Sequence, residues 1–169
     1  ARSWWGSAAS TLVIAYFIFS LSACKKETGT GSNSYLKGKV DGVAFECNSD
    51  IRATAGGTGD KTIFFRGSVS PWSFQFYLDG QGSDITAGTY NFQTGIVRNA
   101  IVYQNNDGYS AGYFCPNFSP CSFYGSGKIT IQEISKKYIK GTFEYITDVS
   151  PATSTFKTVS NGEFYIKRE

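Results

Sequence analysis

Histidine is missing from all 169 residues. Its absence excludes imidazole metal ligands, the Ser-His-Asp triad and the Cys-His dyad together. Methionine is missing as well, and the chain begins at Ala1, so the initiator is expected upstream of this sequence. The net charge is only +3, and the basic residues are scattered apart from Lys25-Lys26, Lys136-Lys137 and Lys167-Arg168. An excess this small does not build a nucleic-acid interface. No Asp-x-Asp-x-Asp spacing favours a calcium loop, and Asp79, Asp84 and Asp107 sit in turn-rich stretches where carboxylates serve turn chemistry. There is no internal repeat of roughly 20–50 residues and no sustained 3.6-residue apolar period, which argues against solenoids and helical bundles.

A long apolar run is missing too. The best one, within Thr11 to Leu21, has an uncharged centre from Leu12 to Phe19. It falls short of the ~20 residues that a spanning helix needs. That length suits the apolar region of a signal peptide, although Arg2 is the only charge ahead of it. The run ends in Leu21-Ser22-Ala23-Cys24, followed by Lys25-Lys26 and a Gly/Ser/Asn/Thr-rich stretch. This arrangement resembles a bacterial lipobox. The resemblance implies that Cys24 is acylated, that residues 1–23 are a lipoprotein signal peptide, and that residues 24–34 form a flexible tether. The rival reading is an uncleaved membrane anchor with Cys24 an ordinary cysteine. An acylated Cys carries at least two chains, enough for stable attachment without a membrane span.

Three cysteines remain beyond Cys24. In an oxidising envelope they allow one bridge and one leftover thiol. The proline-flanked loop Cys115-Pro-Asn-Phe-Ser-Pro-Cys121 favours a Cys115–Cys121 bridge; a bridge from Cys47 to either, or free thiols, stay open. A three-cysteine zinc site lacks a paired Cys-x-x-Cys, so no metal ligands are expected.

Aromatics are abundant, with 14 Phe and 11 Tyr between 19 Gly. Aromatic and β-branched residues punctuated by Gly, Asn, Asp and Ser favour strands and tight turns. Residues 35–169 are therefore expected to be one all-β domain, an antiparallel β-barrel or β-sandwich of about ten short strands. Strands are expected at Tyr35–Val40, 43–46, 51–55, 62–68, 73–79, 88–92, 100–104, 109–114, 127–134, 138–147 and within 156–167. Asp41-Gly42 and Asn105-Asn106-Asp107-Gly108 read as hairpin turns, and Asn161-Gly162 as a bulge or a turn. Alternation is cleanest where Phe74, Phe76 and Leu78 share one face, and where Ile139, Phe143 and Tyr145 do.

The lipobox, the tether, Val40-Asp41-Gly42-Val43-Ala44-Phe45, Gly88-Thr89-Tyr90, Gly127-Lys128-Ile129-Thr130-Ile131, Lys140-Gly141-Thr142-Phe143-Glu144-Tyr145 and Asn161-Gly162-Glu163-Phe164 occur in that order. The ensemble resembles small β-rich lipoproteins of Bacteroidota that form a domain of unknown function. The resemblance implies an envelope lipoprotein, facing the periplasm or the cell surface. It carries over no functional residue.

Function is less legible. Glu144 and Glu163 are the carboxylate pair that a glycosidase would need, with Lys140 expected nearby; a solvated charge cluster is the plainer reading. Trp72, Tyr77, Tyr103, Tyr109 and Tyr113 have binding potential, since flat rings with polar tips stack on sugars or fill interfaces; packing of the core and its rim is the plainer reading. The expected role is a non-catalytic binding module on a membrane, with a tyrosine-lined mouth holding a glycan or small apolar ligand. An accessory subunit docking on another envelope protein is the alternative, and a carboxylate-only hydrolase a third. No catalytic residue, cofactor or nucleic-acid partner is expected.

Overall fold

The computed structural model describes residues 33–94, 96–114 and 122–169. They form twelve strands and one 3₁₀ turn. The strands are β1 (Tyr35–Val40), β2 (Val43–Glu46), β3 (Ser49–Gly56), β4 (Thr62–Val69), β5 (Trp72–Asp79), β6 (Gly88–Asn91), β7 (Val97–Gln104), β8 (Asp107–Phe114), β9 (Ser122–Tyr124), β10 (Ser126–Ile134), β11 (Tyr138–Ile146) and β12 (Thr158–Lys167). The 3₁₀ turn, Phe92–Thr94, follows β6.

These strands pair into two antiparallel sheets of six, in the orders β2-β1-β12-β11-β10-β6 and β3-β4-β5-β7-β8-β9. Neither sheet closes on itself among the described residues, so the barrel alternative falls. Local chemistry explains the hairpins. Val40 pairs with Val43, and the two residues between them, Asp41 and Gly42, have φ of 50° and 84°. Positive φ at both central positions is the type I′ geometry that matches strand twist. Asn105 and Asn106 repeat it between β7 and β8, with φ of 51° and 76°. The expected Asn161-Gly162 irregularity is a bulge inside one continuous β12, where the register slips against both β1 and β11.

The two inner faces meet through aromatic rings. Phe65 of β4 lies 4.7 Å from Phe164 of β12, and Phe76 of β5 lies 4.8 Å from Phe143 of β11, centroid to centroid. Phe45 of β2 stacks on Phe74 of β5 at 4.1 Å. Aliphatic residues from both sheets complete the fill, Leu36, Ile129, Ile139 and Ile166 opposite Ile63, Leu78, Val97 and Val102. Fully burying each such side chain is worth about 1.5–3 kcal/mol before conformational entropy is subtracted. The fill occupies the space in which an internal ligand would otherwise sit.

The strand directions give the domain two ends. One carries Ser34 and the β10–β11 turn. The other carries the β1–β2 turn and the loop between β11 and β12. That loop is internally bonded: Thr147 N–H donates to the Lys157 carbonyl, Lys157 N–H to Thr147 Oγ1, and Ser150 N–H to the Thr155 carbonyl. Among the described residues no helix is long and apolar enough to cross a membrane.

Candidate functional site

The expected aromatic residues do not converge on one mouth; strand parity separates them. Trp72 and Tyr109 share a parity with the core positions Phe74 and Ala111, so both turn inward. They meet around Lys157, whose Nζ stands 5.6 Å from the Trp72 ring and 5.2 Å from the Tyr109 ring. Tyr109 is buried and its hydroxyl donates to Thr153 Oγ1. These two rings close the loop end of the core. Tyr77 and Tyr103 have the opposite parity and lie on the outer face of the second sheet. Tyr113 lies in β8, its backbone paired with Phe123. A mouth lined by all five residues is therefore not formed.

A different concavity is present on the outside. The β8 edge beyond β7 is shared between two partners. β9 pairs with Gly112 to Phe114, and further along the same edge the Ser110 carbonyl accepts the Asp148 N–H at 2.8 Å. Between these partners lies an open cleft of ≈330 Å³. Its floor is Gly108, Ser110, Ala111 and Gly112, with Asn99 of β7 beside them. Tyr124 of β9 and the loop residues Asp148, Val149, Ser150 and Pro151 also line it. Asp148 fixes its own loop by accepting the Val149 N–H at Oδ1. Tyr103 lies across the β7–β8 ladder from Gly108, where a Cβ would stand 3.2 Å from its ring. None of Trp72, Tyr77, Tyr103 and Tyr109, the expected aromatic residues whose side chains are described, lines this cleft. Tyr124 was not singled out by sequence; an isolated ring in a Phe-Tyr-Gly-Ser-Gly stretch carries no alternation to flag it.

The suspected carboxylate pair does share a surface. Glu144 and Glu163 both line a second open cleft of ≈370 Å³ on the outer face of the first sheet, with Lys128, Thr142 and Asn161. Each is exposed and answered by a lysine on the neighbouring strand, Lys128 to Glu144 at 3.0 Å and Lys37 to Glu163 at 3.2 Å. The Glu163 carboxylate raises the Lys37 pKa by hydrogen bonding and by charge. Lys140 does not join them; it pairs with Glu133 at 3.2 Å. Glu133 also accepts the Tyr138 hydroxyl, and that bond followed by the Lys140 contact holds its carboxyl below the usual range. A general acid needs the opposite direction. What these carboxylates form is a set of cross-strand charge pairs.

Cys47 is a free thiol, buried beside Gly67 where the chain crosses from the first sheet to the second. Burial pushes its pKa up to about 12. Such a thiol serves as a packing group. Cys24, Cys115 and Cys121 lie outside the described residues. Among the described residues no three His, Cys, Asp or Glu side chains gather as a metal-binding set. Asp79 caps the Gln81 N–H, the turn role expected of it.

No curated protein and no solved structure matches the chain. Residues 32–166 match a family described as a domain of unknown function, and that stretch contains the whole two-sheet core. The chain belongs to this family, DUF6252.

Proposed function

We propose that the protein is a non-catalytic binding module of a bacterial cell envelope, held on the outer membrane by an acylated Cys24, and that the β8 cleft is its ligand site. The cleft's volume lies at the small end of ligand sites. A filled core leaves the surface as the place for a ligand, and the sequence arrangement around Cys24 supports the anchor. The composition of the cleft points to a glycan. The exposed Tyr124 ring offers a face to the apolar side of a sugar, while Asn99, Ser110 and Asp148 offer donors and acceptors for hydroxyls. The observation that carries this reading is the joining of an aromatic ring and three short polar side chains over a glycine-rich floor.

The test is a glycan panel screened against the purified protein, followed by titration of any hit. Tyr124→Ala and Asp148→Ala should each weaken binding roughly tenfold, the size of one lost stacking or charge-assisted contact. Unchanged affinity in both would remove the cleft from the proposal. The anchor is tested separately. Cys24→Ser should abolish acylation and move the protein out of the membrane fraction.

One observation favours the docking alternative. Val43, Ile146, Val149 and Phe156 are all large, apolar and exposed, and all lie toward the loop end. If a panel gives no hit while Val149→Ser together with Phe156→Ser abolishes co-purification of an envelope protein, the accessory-subunit reading takes its place.

A further inference from the structure

The basic dipeptides Lys136-Lys137 and Lys167-Arg168 are far apart in sequence, and the fold unites them. Lys136 and Lys137 form the tip of the β10–β11 turn, where Ser135 N–H donates to the Tyr138 carbonyl. Lys167 pairs with Tyr138 across β11 and β12. Arg168 N–H then donates to the Lys137 carbonyl at 2.9 Å. Lys136, Lys137 and Lys167 are exposed. Arg168 is half-buried and committed, its guanidinium held by Asp60 and by the Ser135 carbonyl. Of the acids beside them, Glu169 is exposed and Glu133, which accepts the Tyr138 hydroxyl, is answered by Lys140, so the three lysines leave an excess of positive charge.

Two further observations give this end a direction. Ser34, at the start of β1, bonds through its hydroxyl to the Lys167 N–H at 3.0 Å. The chain therefore enters the domain at the lysine cluster. Next to the cluster, Tyr35, Tyr165 and Tyr138 stand in a row across β1, β12 and β11, with ring centroids 6.2 and 5.0 Å apart. They are half-buried on the outer face of the sheet. Tyrosine bodies with polar tips beside lysines are the side-chain chemistry that suits a membrane–water interface.

From this juxtaposition we infer that the Lys136-Lys137-Lys167 end docks on anionic lipid headgroups. This rests on the reading that Cys24 is acylated, since the tether would bring this end to the bilayer first. Lysines close to an anionic surface each add favourable attraction, and the effect fades with salt. Docking there also has a geometric result. β11 runs from the lysine turn toward the loop that borders the β8 cleft, so the cleft would be held on the side away from the lipid.

The test is lysine footprinting of the intact, cell-made protein in vesicles. Brief acetylation followed by peptide mass analysis would be run in phosphatidylglycerol-containing and in pure phosphatidylcholine vesicles. Lys136, Lys137 and Lys167 should react several-fold more slowly on the anionic vesicles, and high salt should restore them. Lys39 and Lys128, exposed elsewhere on the same sheet, should react alike in both. Equal rates at all five lysines would overturn the proposal, and so would protection that ignores lipid charge. The same digest reports the mass of the peptide bearing Cys24. An unacylated peptide sinks the anchoring reading; an acylated peptide with unprotected lysines sinks the docking face alone.

Discussion

Lys157 Nζ lies 3.0 Å from Asp41 Oδ2, and the pair ties the β1–β2 turn to the residue that precedes β12 at the loop end of the first sheet. Asp41 sits at the tip of the β1–β2 turn. Its other oxygen accepts the Thr158 N–H at 2.9 Å, and its own N–H donates to the Thr158 carbonyl. Lys157 carries the charge across to the Trp72 and Tyr109 rings of the opposite sheet. Its side chain is only 15% exposed, so the ammonium is largely withdrawn from water. A cation there needs both the carboxylate and the ring faces.

Replacing Lys157 by Met keeps the aliphatic stem and removes the charge. Urea unfolding should then show a loss of about 1–2 kcal/mol. Asp41→Asn retains an acceptor for Thr158 and tolerates the positive φ, so it should lose only about 0.5–1 kcal/mol. The double variant should lose less than the sum of the two, because each substitution already removes the shared ion pair. Full additivity would mean that the contact contributes nothing.

A second expectation concerns Gly141, which faces inward on β11. A Cβ built there would stand 2.8 Å from Phe164 Cζ and would overlap the Thr130 carbonyl on β10. Phe164 in turn stacks on Phe65 of the other sheet. Space denied to a methyl here is space the central ring occupies. Gly141→Ala should cost about 1–3 kcal/mol, as overpacking does, and Gly141→Val more. A thermal-melt series over the two variants gives the answer. An Ala variant as stable as the natural chain would show that the strands part easily at this point.

Sequence alone disclosed the strands with strict alternation. Tyr35–Val40 and Val43–Glu46 fall where the Asp-Gly turn sets them, because two residues with positive φ leave little freedom in register. β9 escaped because three residues among glycines beside a cysteine loop have too few positions to show a period. β7 begins three residues before its expected start at Ala100, since Arg98 and Asn99 interrupt the apolar run after Val97. The candidate site was harder for a deeper reason. Aromatic residues were legible as a class, yet their direction depends on strand partners. Trp72 and Tyr77 share β5 and face opposite ways. The β8 cleft needs the β11–β12 loop to lie on the β8 edge, a contact made nearly forty residues away in the chain (Ser110 to Asp148).

The Tyr145 hydroxyl supplies a third prediction. The ring is 2% exposed and packs near Phe76 and Phe92, with centroids 5.9 and 5.6 Å away. Among the described residues its oxygen has no hydrogen-bond partner. Burial alone pushes its ionisation up. A buried hydroxyl without a partner costs about 1–3 kcal/mol relative to water. Tyr145→Phe should therefore leave stability unchanged or raise it by about 1 kcal/mol, measured by urea midpoint at constant slope. A loss above that size would reveal a partner for the oxygen in solution, a bound water being the simplest.

Cys47 gives the pH dependence. Its ordinary value is 9.0, and burial raises it to about 12 in the folded chain. A folded-state value above the unfolded one means that the native protein holds the proton more tightly. The stabilisation is complete below about pH 9, where both states are protonated. It is lost progressively as pH climbs toward 12, because the unfolded chain ionises first. Over that window Cys47→Ala should show a shallower fall of unfolding free energy with pH. The difference should approach one proton's slope, ~1.4 kcal/mol per pH unit. The variant starts from lower stability, since a small cavity opens against Gly67 and Ile51, but the slope comparison is independent of that offset. Alkylation supplies a second readout. In the folded protein near pH 8 the Cys47 peptide should stay unmodified by iodoacetamide, and in urea it should react fully. Modification of the native chain at the rate of a free thiol would mean that this corner between the sheets opens readily, and the buried-thiol account of the alkaline loss would fail with it.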